Sequence, residues 1–316
     1  MDKILISSSS FAVLDSQPLD ILKVGGFEII SNTYARRLEA GEIVSLGKDC
    51  VGILAGLEII NAEVLSQLTR LKVISRIGTG LDNIDLEAAD RLNIAVCNTP
   101  DSPVEAVAEL AVSLVFNLLR KISPMDRLMR RGIWQRISGN LIQGKSIGII
   151  GLGRIGKRVA EQLSGFAVCI MAADPHKDES WLKGRNIAMV GLEELLGKSD
   201  IIILCASGSS CIIKEREFFL MKRGMYLINV SRGAAVEEAA LYGAIKEGRL
   251  AGAALDVFAK EPYNGPLLEL ENVILTPHIG SYTEESRAAM EIEAVHNLLN
   301  ALKNIKGAGN EERRRA

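Results

Sequence analysis

Gly151-Leu152-Gly153-Arg154-Ile155-Gly156 follows an apolar run, Ser146–Ile150, and opens a helical pattern over 154–163. In such a turn the first glycine permits a tight reversal and the second lets backbone approach a pyrophosphate. The third lets helix pack on strand, with the helix N-terminus facing the phosphates. The next strand-like run ends in Asp174, 18 residues after Gly156. An acid there accepts both hydrogen bonds from an adenosine ribose and repels a 2′-phosphate, so the pattern predicts NAD in preference to NADP.

Three later segments end strand-like runs and carry groups suited to carbonyl chemistry: Asn229-Val230-Ser231-Arg232-Gly233, Asp256 through Glu261-Pro262, and Thr276-Pro277-His278-Ile279-Gly280. Hydride transfer to a 2-oxo acid needs a cation to orient the carboxylate and polarise the carbonyl, and a proton donor for the developing alkoxide. The bidentate fork of an arginine suits the first task; a histidinium kept protonated by a neighbouring carboxylate suits the second. Singly, an Arg after a strand is a solvated charge, Glu-Pro a turn and Thr-Pro-His a capped loop. Together, at the strand ends where open α/β sheets bind ligands, they argue for catalysis. Methyltransferases also carry a glycine-rich turn and an acid after the second strand, but need no such later set. Tyr242 and Lys246 have the spacing of short-chain dehydrogenases, yet follow the glycine loop too soon and read as a helical surface pair. His176 reads as an adenine-side loop residue and His296 as a packed or surface side chain of a late helix.

Positioning these groups requires parallel sheets. Apolar runs at Ile4–Ile6, Phe27–Ile30, Cys50–Leu54, Lys72–Arg76 and Ile94–Cys97 alternate with helical stretches, among them Ala62–Leu68 behind Asn61 and Leu86–Leu92 behind Asp85. A second series runs through Ser146–Ile150, Val168–Ala173, Ile201–Leu204, Met225–Asn229, Ala251–Leu255 and Val273–Leu275. Strand–helix alternation implies right-handed crossovers, and two series imply two α/β units. Between them Ser102, Pro103 and Glu105 read as an N-cap, first-turn proline and capping box for a helix over 103–121. That helix is apolar on nearly every side, which predicts burial between domains or subunits. A last helical pattern covers 284–302, and the tail GAGNEERRRA, too polar to bury a core, is expected to be mobile.

Composition excludes several functions. Among 316 residues, 37 Lys+Arg oppose 39 Asp+Glu for a net charge of −2, which gives no global attraction for nucleic acid. Glu109 and Asn117 break the longest apolar run, so no membrane span is expected. MDKILISSSS begins like a strand rather than a secretory signal, which points to the cytoplasm and to reduced thiols at Cys50, Cys97, Cys169, Cys205 and Cys211. With three histidines and no CxxC pair, no metal site is expected.

The three catalytic segments, in this order after GLGRIG, together with Arg76-Ile-Gly-Thr-Gly-Leu-Asp-Asn-Ile-Asp85 and Asn98-Thr-Pro100, resemble the D-isomer-specific 2-hydroxyacid dehydrogenase family over nearly the whole chain short of the tail. The resemblance implies an α/β fold of two Rossmann/flavodoxin-like parallel-sheet lobes with an interdomain active-site cleft. The substrate-binding domain would be discontinuous, 1–98 plus 281–316, around an NAD-binding domain 99–280, with hinges near 98–100 and 280–282. In the family pattern Arg232 binds substrate carboxylate and carbonyl, His278 is the acid/base, and Glu261 pairs with His278. Backbone at Gly78, Thr79 and Gly80 would receive the carboxylate. Val230, Ser231, Asp256 and Gly280 would join Gly151, Gly153, Arg154, Ile155, Gly156 and Asp174 at the cofactor, where Arg232 and His278 also reach. Helix 103–121 and the basic segment Lys121–Gln143 resemble the family's homodimer contact.

Departures refine the expectation. The loop Leu204-Cys205-Ala206-Ser207-Gly208-Ser209-Ser210-Cys211-Ile212 lacks the family's usual His/Pro, although Ala206 would still lie under the nicotinamide ribose. Glu237-Glu238 stands where Asp-Glu is common. The overall pattern is most similar to the short phosphoglycerate dehydrogenase-like branch. Enzymes taking phosphorylated substrates usually place Arg after the third substrate-domain strand, where this chain has Leu54-Ala55-Gly56-Leu57-Glu58. An unphosphorylated acid such as glyoxylate or hydroxypyruvate is therefore expected, with D-3-phosphoglycerate as the alternative should a cation such as Arg136 reach the pocket. The rival from another class is an NAD-sensing regulatory protein with the same fold; the complete Arg232/Glu261/His278 set disfavours it. Formate oxidation is disfavoured because Glu261 stands where formate dehydrogenases have Gln.

Overall fold

The structure, a computed structural model, describes residues 1–208 and 210–305 in full and the backbone alone of 306–315. The expectation of a mobile tail falls outside the fully described residues. The chain separates into two compact units, residues 1–103 with 281–316, and residues 104–280.

The first unit is built on strands β1 (Lys3–Ile6), β2 (Glu28–Ser31), β3 (Cys50–Ala55), β4 (Val73–Arg76) and β5 (Ala95–Cys97). Helices α1 (Gln17–Val24), α2 (Ala40–Gly47), α3 (Ala62–Gln67) and α4 (Leu86–Arg91) connect them. All pairings are parallel, in the order β2-β1-β3-β4-β5. The expected caps form: Asn61 accepts the Val64 N–H at 3.0 Å and Asp85 that of Ala88 at 2.9 Å. Alternation divides the sheet's side chains: Leu5, Ile53 and Ile74 pack with α2 to α4 on one face, while Ile4, Ile6, Leu54 and Val73 enter a second core.

The second unit begins with α5 (Val104–Arg120) and α6 (Ile122–Arg130), separated by Lys121 in the left-handed region at φ 55°. Its sheet comprises β6 (Ser146–Ile150), β7 (Cys169–Ala173), β8 (Ile187–Met189), β9 (Ile201–Leu204), β10 (Met225–Asn229), β11 (Leu250–Leu255) and β12 (Val273–Leu275), with α7 (Arg154–Leu163), α8 (Glu179–Leu182), α9 (Leu192–Lys198), α10 (Glu215–Leu220) and α11 (Glu238–Lys246) between them. The order is β12-β11-β10-β9-β6-β7-β8. Its direction reverses between β6 and β9, the position at which doubly wound sheets hold nucleotides. Strand β8 was absent from the sequence expectation: it is three residues long at the sheet edge and only half-buried, so no apolar run announces it. The first unit is completed by α12 (Glu284–Arg315), whose Met290, Ala294, Val295, Leu298 and Leu302 cover the second core of its sheet.

One expectation about α5 is refined and one corrected. Much of its apolar surface is taken up within its own unit, with Leu110, Val112 and Phe116 half-buried. Ala108, Ala111, Val115 and Leu119 are buried in the core of their own unit against β10 and β11 and beside α7, while Glu105, Glu109, Ser113 and Arg120 face out. The capping box does not form: the Ser102 hydroxyl donates to Glu293, and Glu105 accepts Arg158 Nη2 at 2.9 Å and Gln162 Nε2 at 2.9 Å. Stronger charged partners, brought close by folding, outcompete the local backbone bonds. Tyr242 and Lys246 form the expected surface pair, with Nζ 5.6 Å from the ring centre.

Among the described residues no helix is long and apolar enough to cross a membrane, and no three His, Cys, Asp or Glu side chains cluster to hold a metal. The five cysteines are free thiols.

Candidate active site

The turn after β6 has the form that a dinucleotide requires. Gly151 adopts φ +91°, and a Cβ there would stand 2.4 Å from the Ala206 backbone, so a side chain is excluded where the loops after β6 and β9 meet. A Cβ on Gly156 would lie 2.0 Å from the Gly151 carbonyl oxygen, which fixes how closely α7 approaches its strand. Over Gly153, the N-cap of α7, a Cβ would meet nothing within 4 Å. That open ground before the N-terminus of α7 fits a pyrophosphate. Exposed Arg154 and half-buried Ile155 form the first turn of the helix.

Asp174 ends the next strand over and is mostly buried, with 15% of its side chain exposed. One carboxylate oxygen accepts the Leu152 N–H at 2.6 Å and the other the His176 N–H at 2.7 Å. The acid thus braces the glycine turn itself. His176 is almost fully exposed and contributes its backbone.

Three loops at the carboxyl ends of β10, β11 and β12 bring the catalytic candidates into one unit. Asn229, buried at the end of β10, accepts the Ser231 N–H at 3.1 Å and hydroxyl at 2.9 Å, and donates to the Arg232 carbonyl at 2.9 Å. Val230 and Ser231 are buried by this turn, and the Ser231 hydroxyl is directed inward. Half-buried Arg232 donates from Nη1 to the Ser231 carbonyl at 2.8 Å. The role of Asn229 went unrecognised in the sequence, although an Asn two residues before a Ser at a strand end is the spacing of a side-chain-stabilised turn.

His278 and Glu261 meet as expected. His278 Nδ1 lies 2.8 Å from Glu261 Oε2 and 3.1 Å from Oε1, and Oε1 also accepts the Phe258 N–H at 3.2 Å. Facing the carboxylate with Nδ1 leaves Nε2 for a substrate. The histidine adopts the left-handed conformation at φ 55°, which is uncommon for a residue with a Cβ. What holds it there is Asp256, 2% exposed, whose Oδ1 accepts the Ile279 N–H at 2.8 Å and the Thr276 hydroxyl at 2.7 Å while Oδ2 accepts the Gly280 N–H at 2.8 Å. Burial pushes the Asp256 carboxyl up and these donors oppose the shift. Expected as a cofactor contact, Asp256 spends both oxygens on the histidine loop. Glu238, at the start of α11, accepts the Ala259 N–H at 2.8 Å and braces the loop carrying Glu261.

In the first unit, Gly78 donates its N–H to Thr99 Oγ1 at 2.7 Å, and Asn98 Nδ2 donates to the Thr79 carbonyl at 2.7 Å. The Gly78 amide is therefore taken up internally, leaving Thr79 and Gly80 as that loop's candidates for a carboxylate.

Residues 112–280 match the family model described as the D-isomer specific 2-hydroxyacid dehydrogenase, NAD binding domain. The chain is 37% identical over 269 residues to a glyoxylate reductase of Korarchaeum cryptofilum, covering 81% of each protein. It is 34% identical over 299 residues to a D-3-phosphoglycerate dehydrogenase of Archaeoglobus fulgidus, covering 92% of this chain but 56% of that one. It therefore spans little more than half the length of that relative. The solved D-lactate dehydrogenase of Aquifex aeolicus, complexed with NAD and lactic acid, matches with a TM-score of 0.82 and 29% identity over 97% of this chain and 98% of that one. With the glycine turn, the histidine–carboxylate pair and these likenesses together, the chain belongs to the D-isomer-specific 2-hydroxyacid dehydrogenase family, and its second unit carries the family's NAD-binding domain.

Proposed function

We propose that this protein interconverts a small, unphosphorylated 2-oxo acid and its D-2-hydroxy acid with NAD(H), favouring a substrate of the glyoxylate or hydroxypyruvate type. The observation that carries this reading is the 2.8 Å pairing of His278 with Glu261 in the same unit as Arg232 and the glycine turn. A bound nicotinamide supplies or accepts the hydride at the substrate C2. Arg232 orients the carboxylate and polarises the carbonyl with its planar fork. His278, protonated with its Nδ1–H directed at Glu261, delivers a proton from Nε2 to the oxygen that becomes the hydroxyl, and takes it back in the reverse direction. Thr79 and Gly80 are the backbone candidates for the substrate carboxylate. A spectrophotometric screen of 2-oxo acids with NADH tests the reading, and absence of turnover across glyoxylate, hydroxypyruvate and pyruvate would overturn it in favour of an NAD-sensing role.

Glu261 tests the pairing directly. Glu261→Gln keeps a hydrogen-bond partner for Nδ1 but removes the negative charge beside it, so kcat for reduction falls while NADH binding is retained. An unchanged kcat would make the pair purely structural.

Asp174 supports NADH over NADPH, because a carboxylate fixed at the end of β7 would face a 2′-phosphate with like charge. The expected result is a clear advantage for NADH in kcat/KM; equal efficiency with NADPH contradicts it.

D-3-Phosphoglycerate dehydrogenase is the second reading, favoured by the Archaeoglobus fulgidus relative. Against it stands the absence of Lys and Arg from Leu54–Glu58. A homodimer is supported by α6 and the segment after it, where Ile122, Met129, Trp134 and Leu141 expose 53%, 51%, 77% and 71% of their surfaces. Apolar surface of this kind favours association. Light scattering should report twice the chain mass at micromolar concentration, and a monomer there refutes the dimer. Five free thiols accord with a reducing, cytoplasmic compartment.

A further inference from the structure

The loops that carry Arg232 and Glu261 meet at one peptide. A Cβ on Gly233 would stand 1.8 Å from the Phe258 carbonyl carbon, 2.0 Å from its oxygen and 2.4 Å from the Ala259 nitrogen. The peptide joining Phe258 to Ala259 therefore lies directly against the residue that follows Arg232, closer than any side chain permits. Backbone packed on backbone in this way ties the position of the Glu261 loop to that of the Arg232 turn.

Each part of this peptide's surroundings has a partner. Phe258 donates its N–H to Glu261 Oε1 at 3.2 Å, and the same carboxylate meets His278 Nδ1 at 2.8 Å. The Phe258 ring is buried and stacks on Tyr263 with 4.4 Å between centroids, and the Tyr263 hydroxyl accepts the Leu267 N–H at 3.2 Å. The Ala259 N–H goes to Glu238 Oε1 at 2.8 Å. Glu238 is half-buried in the first turn of α11, a helix anchored by Leu241, Ala244 and Ile245 in the core. Among the described residues the Glu238 side chain makes this hydrogen bond and no other. Because Ala259 is exposed, water can replace the acceptor at small cost in stability. What water cannot replace is the fixed distance from the core helix to the loop.

We propose that Glu238 is a positioning residue for proton transfer. By holding the Ala259 N–H it presses the peptide after Phe258 against Gly233, which sets Glu261, and through Glu261 the ring of His278, relative to Arg232. The inference rests on the reading of His278 as the proton donor of a 2-oxo-acid reductase.

Two variants separate reach from charge. Glu238→Gln keeps the length of the side chain and a carbonyl oxygen for the Ala259 N–H, whereas Glu238→Asp keeps the charge in the first turn of α11 but draws the oxygens back. The test measures kcat for glyoxylate with NADH in H2O and in D2O, together with NADH affinity and the unfolding temperature. Glu238→Asp should lower kcat by about tenfold, since small displacements of a reacting group are costly. It should also raise the solvent deuterium isotope effect, because proton delivery then limits the rate more, and leave NADH affinity as in the wild type. Glu238→Gln should keep most of the wild-type kcat and its isotope effect. Equal kcat in the two variants, or the reverse order, overturns the inference. So does a loss in Glu238→Asp with an unchanged isotope effect, which a merely structural role would give. If His278→Ala is impaired and Glu238→Asp is not, this inference fails and the parent reading stands; a wild type that reduces no 2-oxo acid removes the parent reading instead.

Discussion

Replacing His278 with alanine lowers the rate of 2-oxo-acid reduction by about 10²–10⁴, the usual contribution of a positioned proton donor. The geometry explains why no neighbour substitutes for it. Nδ1 is engaged by Glu261 at 2.8 Å, and the loop that carries the ring is clamped by Asp256 through the N–H groups of Ile279 and Gly280. Both contacts aim one ring rather than supplying a second donor. Because the glycine turn and Asp174 lie on other loops, the variant should still bind NADH, measurable by quenching of protein fluorescence or enhancement of nicotinamide fluorescence. Loss of binding together with activity would mean that the substitution damaged the cofactor site, and a rate loss below tenfold would remove His278 as the proton donor.

Arg232→Ala is expected to cost about 2–5 kcal/mol of transition-state stabilisation, the range for removing one partner of a buried ionic contact. In kcat/KM that is a loss of about 30- to 5,000-fold. The backbone should keep its course, since Asn229 holds the Arg232 carbonyl and the Ser231 N–H irrespective of the side chain. Arg232→Lys restores charge but not the planar fork, and should recover only part of the loss. Full recovery with lysine would show that a point charge suffices. An unchanged kcat/KM in the alanine variant would place the guanidinium outside the reaction.

Local pattern was enough to read much of this molecule. Alternating apolar runs marked every strand but β8, because buried parallel strands are continuously apolar and their length separates them from helices. Asn61 and Asp85 announced their helices because a cap bonds to backbone three residues away, a contact encoded wholly by sequence spacing. GLGRIG, Asp174, Arg232, Glu261 and His278 stand out in the sequence as candidates for a related reason. Each lies in a segment that leaves a strand, where the chain must turn and where residue type is constrained by the turn and by the groups it presents.

Tertiary structure decided what depends on which distant groups arrive. Ser102 and Glu105 have the spacing of a capping box, yet folding brings Glu293 to one and Arg158 to the other, and charged partners win over a local backbone bond. Much of the apolar girth of α5 is taken up inside its own unit by β10, β11 and α7, which no count of its residues reveals. Asp256 lies 22 residues before His278 in the chain, and only β11 beside β12 makes it the clamp of the histidine loop. Glu58 likewise reads in the sequence as one acid in a loop. Only the parallel pairing of β1 with β3 buries it against Ser7, 51 residues away, and leaves a carboxylate at the turning point of the sheet. Spacing encodes bonds within a turn of chain, whereas pairings between strands set every contact that spans a crossover.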